Sequence, residues 1–589
     1  MTNSQIAETL EEIGDLLEFK GENPFRIRAY RNAARAIKNM ADGAADIIGS
    51  DDRELTDVEG IGKDLAEKIA TLIATGQLPL LNDLRAEVPR GVRAIMRIPG
   101  VGPKKAARLY QELHVKTLSE LRHACEREKV RNIAGFGAKS EQKILGGIRI
   151  AASADERMYW ARADEIAQRL REHLTSVSAV KRLEIAGSYR RGKETVGDLD
   201  ILTVAEAAAP VMDALADFPG VVETIARGET KMSVRLEGGL QVDLRVVPAE
   251  AFGAALQYFT GSKEHNVAFR KRAKDRGLKV NEYGVFKVKG GADGNEADDP
   301  GASIAGAEEA DVYAALDLPL IPPELRENRG EFSFASQEDI PTLIETDDIR
   351  GDLHLHTTAS DGRNSLREMI EAAQAHGLAY IAVTDHSKRV NVASGLDAVR
   401  LRKQWAEIDE IRPTLPEGFY VLKGVECDIL EAGGMDLPDD VLAEADWVIA
   451  SVHFGQNQSK EKITQRIIGA LENPHVAILA HPTGRLINRR DPYEVDLDEV
   501  MAAAKEHHKM LELNANPARL DLNEIYCAAA KQRGIPVVIS TDAHSVEQYA
   551  NMRFGVIQAR RAGLTKADVA NTKTFKQFEK TLKKTRRVV

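Results

Sequence analysis

Six histidines of this chain stand at the ends of short apolar runs, and this placement constrains the fold of the second half of the sequence. Ten of the fourteen histidines lie between His354 and His544. Six runs are built on β-branched and aliphatic residues and carry His, Asp or Glu at or next to their ends: GDLHLHT (351–357), YIAVTDHS (380–387), YVLKGVECD (420–428), WVIASVHF (447–454), VAILAHP (476–482) and PVVISTDAH (536–544). Such an arrangement predicts a sheet with metal-binding side chains at one end.

A seventh apolar run, MLELNAN (510–516), completes a regular alternation of strands with helical segments. The helical segments are predicted over 366–376, 396–411, 460–472, 495–508, 522–533 and 546–560. Strands that alternate with helices form a parallel sheet. We therefore predict a distorted (β/α)7 barrel, whose active site lies at the C-terminal ends of the strands.

Nine side chains at these strand ends are candidate metal ligands. They are His354, His356, Asp361, His386, Glu426, His453, His481, Asp542 and His544. One histidine of this kind is usually a satisfied core residue, but six histidines and three acids in this pattern make that alternative improbable. Imidazole with carboxylate and no cysteine suits Zn²⁺ or Mn²⁺. Three ions can be served if Glu426 or a water bridges them, and such a site predicts a phosphoesterase.

The first 150 residues contain a glycine-turn pattern three times: EGIGKDLAEKI (59–69), PGVGPKKAARL (99–109) and GFGAKSEQKI (135–144). Each Gly-x-Gly permits a tight turn, and the helix that follows directs backbone N–H groups outward, where a phosphate can bind. The alternative is three ordinary helical corners. We favour DNA-backbone binding, with Gly60, Gly62, Gly100, Gly102 and Lys104 as candidate contacts.

The central segment EIAGSYRRGKETVGDLDIL (184–202) carries paired acids. Asp198 and Asp200 are two apart on a predicted strand and share one face, and Asp243 lies in the apolar run LQVDLRVV. Three carboxylates on neighbouring strands can hold two Mg²⁺ ions for nucleotidyl transfer. Ser188 and Arg191, on the preceding turn, are placed to bind a triphosphate. The alternative is a polar surface turn, since an isolated Asp-x-Asp is common.

Composition is that of a multidomain globular protein with 589 residues and a net charge of −11. No apolar stretch is long enough to cross a bilayer, so no membrane association is expected. The N-terminus is acidic and amphipathic, unlike a signal or transit peptide. Three scattered cysteines form neither a disulfide framework nor a thiolate zinc site, which favours a reducing cytoplasm.

The Gly-Ser…Asp-x-Asp…Asp combination resembles the nucleotidyltransferase superfamily. Downstream, QYFTGSKEHN (257–266) and GLKVNEYGVF (277–286) look like the family X DNA polymerases, which include the animal polymerase beta. Together with the glycine turns and the C-terminal barrel, the chain resembles bacterial family X DNA polymerases that carry a PHP (polymerase and histidinol phosphatase) domain. The resemblance covers nearly the whole chain.

The resemblance implies a multidomain architecture of helical helix-hairpin-helix regions, an α+β nucleotidyltransferase core and a C-terminal PHP barrel. The expected boundaries are a helical DNA-binding (8-kDa-like) domain (1–90), a helix-hairpin-helix fingers-like region (91–154), a palm (155–248), a thumb-like dNTP-selection domain (249–328), a linker (329–348) and a PHP phosphoesterase domain (349–589).

Residue roles also follow from the resemblance. Asp198, Asp200 and Asp243 would be the catalytic metal-binding triad. The residues expected to contact the incoming nucleotide are Ser188, Arg191 and Gly197 at the triphosphate, Tyr258, Phe259 and Gly261 at the sugar, and Asn266 near the base. The resemblance further implies Mg²⁺ at the polymerase site and Mn²⁺ or Zn²⁺ at the PHP site.

Lys68 matches a lysine that forms a Schiff base in the lyase domain of the animal enzyme. Three positions depart from the family pattern: Gln241 replaces an arginine, Lys263 replaces an acid near the incoming base, and Asp64 replaces a lysine one turn before Lys68. The last departure argues against a lyase. The alternative for Lys68 is a solvated or DNA-facing residue.

We therefore expect a bacterial, cytoplasmic, monomeric repair polymerase that fills short gaps in DNA with dNTPs. Its PHP domain is expected to be a 3′→5′ exonuclease and an abasic-site endonuclease. A second hypothesis keeps only the PHP nuclease active, with the polymerase domain as a DNA-positioning platform, and Gln241 gives it some weight. A third is a non-catalytic DNA-end binder, which the nine intact ligands disfavour.

Overall fold

The computed structural model describes residues 3–38, 44–48, 54–58, 60–75, 78–98, 100–288 and 303–585. The chain divides into two compact units. The first comprises Met1–Asp155 with the short segments Asp361–Leu366 and Arg485–Pro492, and the second comprises the remainder. Among the described residues, no helix has the length and apolar character needed to span a membrane. All three cysteines are buried with free thiols.

The first unit is helical. Its helices are α1 (Asn3–Lys20), α2 (Pro24–Lys38), α3 (Ala44–Ile48), α4 (Lys63–Thr75), α5 (Pro79–Glu87), α6 (Arg90–Met96), α7 (Pro103–Leu113), α8 (Leu118–Glu126) and α9 (Ala138–Glu156). In α1 the buried Ile6, Leu10, Ile13 and Leu17 recur at the three-to-four-residue spacing of one helix face. Helix α8 begins at the N-cap Thr117, whose side chain accepts a hydrogen bond from the backbone of Glu120.

The three glycine turns each lead directly into a helix, as predicted. The first glycine of each turn has a left-handed backbone, with φ of 93° at Gly60, 81° at Gly100 and 86° at Gly135. An L-residue with a side chain rarely adopts this conformation, so glycine is required there. Helices α4, α7 and α9 begin one residue after the second glycine.

The central region is an α+β domain, as the resemblance implies. Its elements are β1 (Met158–Tyr159), α10 (Trp160–Thr175), β2 (Val180–Ile185), α11 (Gly187–Arg190), β3 (Thr195–Val196), β4 (Asp198–Ala205), α12 (Ala208–Ala216), β5 (Val221–Arg227), β6 (Lys231–Leu236) and β7 (Gln241–Val246). Five strands form a sheet in the order β2-β4-β7-β6-β5. Strands β4 and β7 are parallel, and the other pairs are antiparallel.

A smaller domain follows the sheet. It contains α13 (Phe252–Thr260), α14 (Lys263–Asp275), β8 (Leu278–Asn281), β9 (Gly284–Lys287) and α15 (Glu309–Ala314). Phe269 and Tyr313 are fully buried in its core. The guanidinium of Arg326 is also fully buried and lies 2.5 Å from Glu309. Burial of this charge is tolerated because it is paired.

The C-terminal half is the predicted seven-stranded parallel barrel. Its strands are β10 (Gly351–Asp352), β11 (Tyr380–Val383), β12 (Tyr420–Asp428), β13 (Trp447–Ser451), β14 (Ile478–Leu479), β15 (Met510–Asn514) and β16 (Val537–Ser540), in sequence order. Its helices are α16 (Leu366–Ala375), α17 (Ala398–Ile411), α18 (Asp439–Glu444), α19 (Lys460–Glu472), α20 (Leu497–Glu506), α21 (Glu524–Arg533), α22 (Met552–Arg561) and α23 (Phe575–Thr585).

The two ends of the barrel differ in chemistry. A parallel bridge between Leu355 and Ala543 links the first and last strands, so the barrel is nearly closed. Tyr380 and Trp447 begin their strands, and Phe578 of α23 packs on both rings. Helix α23 therefore covers the N-terminal ends of the strands. The polar strand ends lie on the opposite side.

Candidate active sites

The polymerase triad is assembled by the register of two parallel strands. Asp200 on β4 is paired in register with Asp243 on β7. Leu199 and Ile201 point into the core with no exposed surface, so the alternating Asp198 and Asp200 project from the other face. One ligand atom from each of the three carboxylates lies within 4.8 Å of the other two. The structure thus brings the three predicted acids together.

Two neighbours hold Asp243 in place. The hydroxyl of Ser233, on the adjacent strand, donates a hydrogen bond to its Oδ1. The amide nitrogen of Gln241 lies 3.2 Å from its Oδ2. Gln241, which stands where the resemblance places an arginine, is therefore a direct hydrogen-bond donor to the third carboxylate.

The three acids repel one another in a poorly solvated position. Burial raises the pKa of Asp200 to about 7, and the charges of Asp198 and Asp243 act in the same direction, against Arg245 and Lys231. Burial and Asp243 also raise the pKa of Asp198. A cluster of this kind with only oxygen donors fits hard divalent cations such as Mg²⁺.

Removing one of these charges is expected to stabilise the metal-free protein. The pKa of Asp200 in the fold, about 7, lies above its unfolded value of about 3.9, so the folded state binds the proton more tightly and loses stability as pH rises between them. We expect Asp200→Asn to raise the free energy of unfolding by about 1 kcal/mol or more at pH 8. At pH 4 the difference should vanish. The free energy of unfolding of the parent protein and of Asp200→Asn can be measured by denaturant titration at pH 8 and pH 4, with EDTA present to remove metal ions. An equal difference at both pH values would contradict the prediction.

A polar cavity borders the turn that carries Ser188 and Arg191, the predicted triphosphate contacts. It has a volume of about 340 Å³ and its lining includes Ser188, Arg191, Lys193 and Glu524. The Oγ of Ser188 is buried and has no hydrogen-bond partner. Such an orphan donor fits a ligand oxygen. Gly187 precedes it with φ of 66°, and a Cβ there would lie 2.6 Å from an Asp200 oxygen, so glycine is required.

The remaining predicted nucleotide contacts lie near the end of α13 and at the start of β4. Gly197 directly precedes β4. Tyr258 and Phe259 pack edge to face, with ring centroids 5.1 Å apart. A Cβ on Gly261 would lie only 3.1 Å from Nη1 of Arg191. The turn at Gly261 therefore lies against the predicted triphosphate contact. Asn266 donates to the carbonyl of Tyr258 at 2.7 Å, so its amide is already engaged in the protein.

The barrel site is a cluster of imidazoles around one carboxylate. Three sets have ligand atoms within 4.8 Å of one another: His356, Asp361, His386 and His544; His354, His356 and Asp542; and His386, Glu426 and His453. The Glu426 oxygens lie 2.7 Å from His386 Nδ1, 3.0 Å from His481 Nε2 and 3.4 Å from His453 Nε2. All nine predicted ligands are therefore gathered at the C-terminal strand ends.

Two further acids orient the histidines. Glu512 lies 2.7 Å from Nδ1 of His354 and accepts the backbone N–H of His481 at 2.7 Å. Asp428 accepts the backbone N–H of His453 at 2.9 Å. Acids that fix the second ring nitrogen of a ligand are typical of metal centres. Neither acid is among the predicted ligands, although Asp428 repeats the two-residue spacing of His354 and His356, and Glu512 stands on β15.

The donor atoms fit metal ions. Nε2 of His354 and Oε2 of Glu426 are buried without a hydrogen-bond partner. Burial lowers the pKa of His481 to about 3 and that of His356 to about 4, so these imidazoles are neutral at pH 7, as metal binding requires. Burial would raise the pKa of Glu426, but His386, His453 and His354 outweigh it and hold the carboxyl ionised.

The backbone of two ligands is held in an uncommon conformation. His481 has φ of 27° and Asp542 has φ of 54°. Non-glycine residues in the left-handed region cost free energy and persist where the surrounding structure fixes them, often at functional sites. The strand ends therefore form a preorganised site.

Glu512 offers a test of how the imidazoles are oriented. Glu512→Gln keeps the shape of the side chain but removes the charge that fixes His354. We expect metal affinity of the barrel site to fall about 10–100-fold, as for other such acids. Equilibrium dialysis against Mn²⁺ measures it. Glu499→Gln, an exposed acid at the start of α20, is the matched control, and equal affinities for both variants would contradict the role.

The candidate DNA contacts of the first unit are accessible. A Cβ on Gly62, Gly100 or Gly102 would meet no atom within 4 Å, so these turns have open space around them. The side chain of Lys104 is 82% exposed. Gly60 is closer to its neighbours, with Asn32 at 3.8 Å from the added Cβ. These positions are compatible with phosphate binding.

Lys68, which matches the Schiff-base lysine of the animal enzyme, lies 2.5 Å from Asp64. Burial would lower the pKa of Lys68, but hydrogen bonds and charges from Asp64 and Tyr30 outweigh it, so the pKa is raised. A nucleophilic amine must be neutral. Asp64, where the family has a lysine, therefore acts against a lyase role.

Comparison with known families agrees with this geometry. The chain matches families described as helix-hairpin-helix domain (1–78), SAM-like helix-hairpin-helix tandem (92–149), DNA polymerase beta palm (157–227), DNA polymerase beta thumb (255–327) and PHP domain (352–516).

The curated relatives include one similar along its entire length. The "DNA polymerase/3'-5' exonuclease PolX" of Bacillus subtilis (strain 168) is 42% identical over 592 residues, which cover 99% of this chain and 100% of the relative. A probable phosphatase of Thermoanaerobacter sp. (strain X514) is 31% identical over 248 residues, which cover 40% of this chain and 96% of the relative. With the triad, the barrel ligands and full-length similarity together, the chain belongs to the bacterial family X DNA polymerases with a C-terminal PHP domain.

Proposed function

We propose that this chain is a DNA repair polymerase that fills short gaps and edits 3′ ends with its PHP domain. One observation carries the proposal: a single chain contains a complete carboxylate triad and a complete nine-residue ligand cluster. The relative from Bacillus subtilis is named for both a polymerase and a 3′-5′ exonuclease.

At the polymerase site, Asp198, Asp200 and Asp243 would hold two Mg²⁺ ions. Bound there, the ions would lower the pKa of the attacking 3′-hydroxyl and neutralise the leaving pyrophosphate. Ser188 and Arg191 bind and orient the triphosphate. The hydrogen bonds of Arg191 use Nε and Nη1, so Nη2 is available for a phosphate oxygen.

The other predicted nucleotide contacts are assigned to the same reaction. Gly197 allows the triphosphate to approach the backbone. Tyr258, Phe259 and Gly261 border the sugar and exclude a 2′-hydroxyl. For Asn266 to reach the base, its amide must leave the carbonyl of Tyr258.

At the PHP site, the nine ligands would hold about three Mn²⁺ or Zn²⁺ ions. These ions would supply Lewis-acid activation of water and of a scissile phosphodiester. Glu512 and Asp428 keep His354, His481 and His453 in place. The proposed reactions are 3′→5′ exonucleolysis and incision at abasic sites.

The partners are gapped or nicked duplex DNA and dNTPs, and the chain acts as a cytoplasmic monomer. Gly60, Gly62, Gly100, Gly102 and Lys104 grip backbone phosphates without reading sequence. Lys68 carries a lyase step only if Asp64 releases it.

The test is a labelled one-nucleotide-gapped duplex with Mg²⁺ or Mn²⁺ and each dNTP in turn. We expect addition of one nucleotide, and only of the dNTP complementary to the template. Shortening of the primer in Mn²⁺ with no addition in either metal would instead support the nuclease-only hypothesis. Gln241 favours that second candidate, but its hydrogen bond to Asp243 keeps the triad assembled.

A further inference from the structure

We propose that Arg561, a residue of the PHP barrel, positions and frees the triphosphate-binding Arg191 of the polymerase site, so that the barrel sets the affinity of the polymerase for dNTPs. The inference rests on the role proposed above for Arg191. Arg561 acts through a shared carboxylate, Glu327, and is a positioning residue rather than a catalytic one.

Helix α22 of the barrel docks against the polymerase core. The amide of Gln558 donates to the carbonyl of Gly192 at 2.8 Å, and Arg553 pairs with Asp164 at 2.7 Å. Gly192 is required at this contact, because a Cβ on it would lie 2.3 Å from the side chain of Ile557. The docking site is thus the turn that follows Arg191.

Arg561 stands at the end of this helix and is almost fully buried, with 1% of its side chain exposed. Its Nη1 donates to the carbonyl of Arg191 at 2.7 Å and lies 3.0 Å from Glu327. Its Nη2 lies 3.0 Å from Glu524. A single guanidinium therefore connects the triphosphate turn, the segment before the barrel and helix α21.

Glu327 is shared between the two arginines. It lies 3.0 Å from Nε of Arg191, 3.0 Å from Arg561 and 4.0 Å from Lys193. Burial would raise the pKa of Glu327, but the charges of Arg561, Arg191 and Lys193 outweigh it and keep the carboxyl ionised. Because Arg561 offsets part of the negative charge of Glu327, this carboxylate offsets less of the positive charge of Arg191. Arg191 can therefore attract an anionic ligand more strongly.

The group of charged side chains around Glu327 and Glu524 carries an excess of positive charge. Its two carboxylates, Glu327 and Glu524, are surrounded by four cations: Arg191, Lys193, Arg329 and Arg561. The 340 Å³ cavity beside it is lined from both domains, by Ser188 and Arg191 of the core and by Asn523 and Glu524 of the barrel. Net positive charge in a partly buried cavity favours a polyanion such as a triphosphate.

Loss of Arg561 should weaken nucleotide binding in a specific way. In Arg561→Gln, Glu327 keeps its charge and is left to pair with Arg191, so it competes with the triphosphate. We expect the KM for the complementary dNTP in gap filling to rise about tenfold, with kcat changed less than about threefold. Exonuclease activity in Mn²⁺ should be unchanged. Arg561→Lys, which keeps the charge but not the bidentate fork, should fall between the two.

A double variant distinguishes an electrostatic role of Arg561 from a merely structural one. Adding Glu327→Gln to Arg561→Gln removes the competing carboxylate, and we expect KM to return to within about threefold of the parent protein. If Arg561 only held the domains together, the double variant would be as poor as the single one or worse. That result would overturn the inference.

Two further variants serve as controls, and every variant is made in the full-length chain. Arg553→Gln breaks an ion pair of the same helix with the same core domain but away from Glu327, and should leave KM unchanged. An equal rise in KM for Arg553→Gln and Arg561→Gln would overturn the inference. Arg191→Gln tests the proposed function: if its KM is normal, the role of Arg191 fails. If Arg191→Gln raises KM and Arg561→Gln does not, only the inference fails.

Discussion

Asp243→Ala is expected to abolish nucleotide addition to a gapped primer, with a loss of about 10³-fold or more, while 3′-end hydrolysis continues at the parent rate. The carboxylate lies in register with Asp200 and is held by Ser233 and Gln241, so its removal opens the oxygen cluster that would bind the metal ions. Stabilisation by such ions amounts to several kcal/mol, which corresponds to this loss in rate. Single-turnover gap filling in Mg²⁺ measures it.

The matched control is Glu223→Gln, an exposed acid on the edge strand β5 of the same sheet, paired with Arg235. It should fill gaps at the parent rate. If Asp243→Ala also lost hydrolysis, the two activities would not be separate. If Asp243→Ala still filled gaps at the parent rate, the three carboxylates would not be the site of nucleotide addition.

Glu426→Gln is expected to produce the opposite loss. Its two oxygens contact four imidazoles at 2.7–3.5 Å, and its charge offsets the burial of the cluster. An amide at this position has no negative charge and only one oxygen donor, so it is a much weaker metal ligand than the carboxylate. We expect 3′→5′ hydrolysis in Mn²⁺ to fall about 10³-fold or more, with gap filling in Mg²⁺ retained.

Bound metal provides an independent check on the same variant. Glu426→Gln purified beside the parent protein should hold less Mn²⁺ in equilibrium dialysis. Glu444→Gln, an exposed barrel acid paired with Arg402, is the control and should bind metal normally. If Glu426→Gln hydrolysed 3′ ends at the parent rate, the cluster around Glu426 would not be the nuclease site.

The sequence pattern predicts the barrel well because its information is local. Each strand is a short apolar run that ends on a ligand, so one pattern predicts both the element and the edge at which its side chain lies. The seven strands and the six predicted helical segments are observed close to the predicted positions, whereas the short helix α18 between β12 and β13 is not among the predicted segments. The polymerase triad is predictable for the same reason, since Asp198 and Asp200 alternate with the buried Leu199.

The supporting contacts are not predictable because they join distant parts of the chain. Arg561 and Arg191 are 370 residues apart, and nothing around either residue indicates the other. Glu512 orients His354 across 158 residues. Isolated acids at such positions do not differ in sequence from surface acids. The sequence also does not indicate that the side-chain amide of Asn266, a predicted base contact, donates a hydrogen bond to the carbonyl of Tyr258.

We propose that the two metal sites of this chain are independent phosphoryl-transfer sites that act on the same 3′ end. The most direct measurement uses a gapped duplex with a labelled, mispaired primer terminus, dNTPs and both metals, and compares the parent protein, Asp243→Ala and Glu426→Gln. We expect that Asp243→Ala only shortens the primer and that Glu426→Gln does not shorten it, while the parent protein trims the mispair and then extends the primer. Loss of both activities in either variant would contradict it.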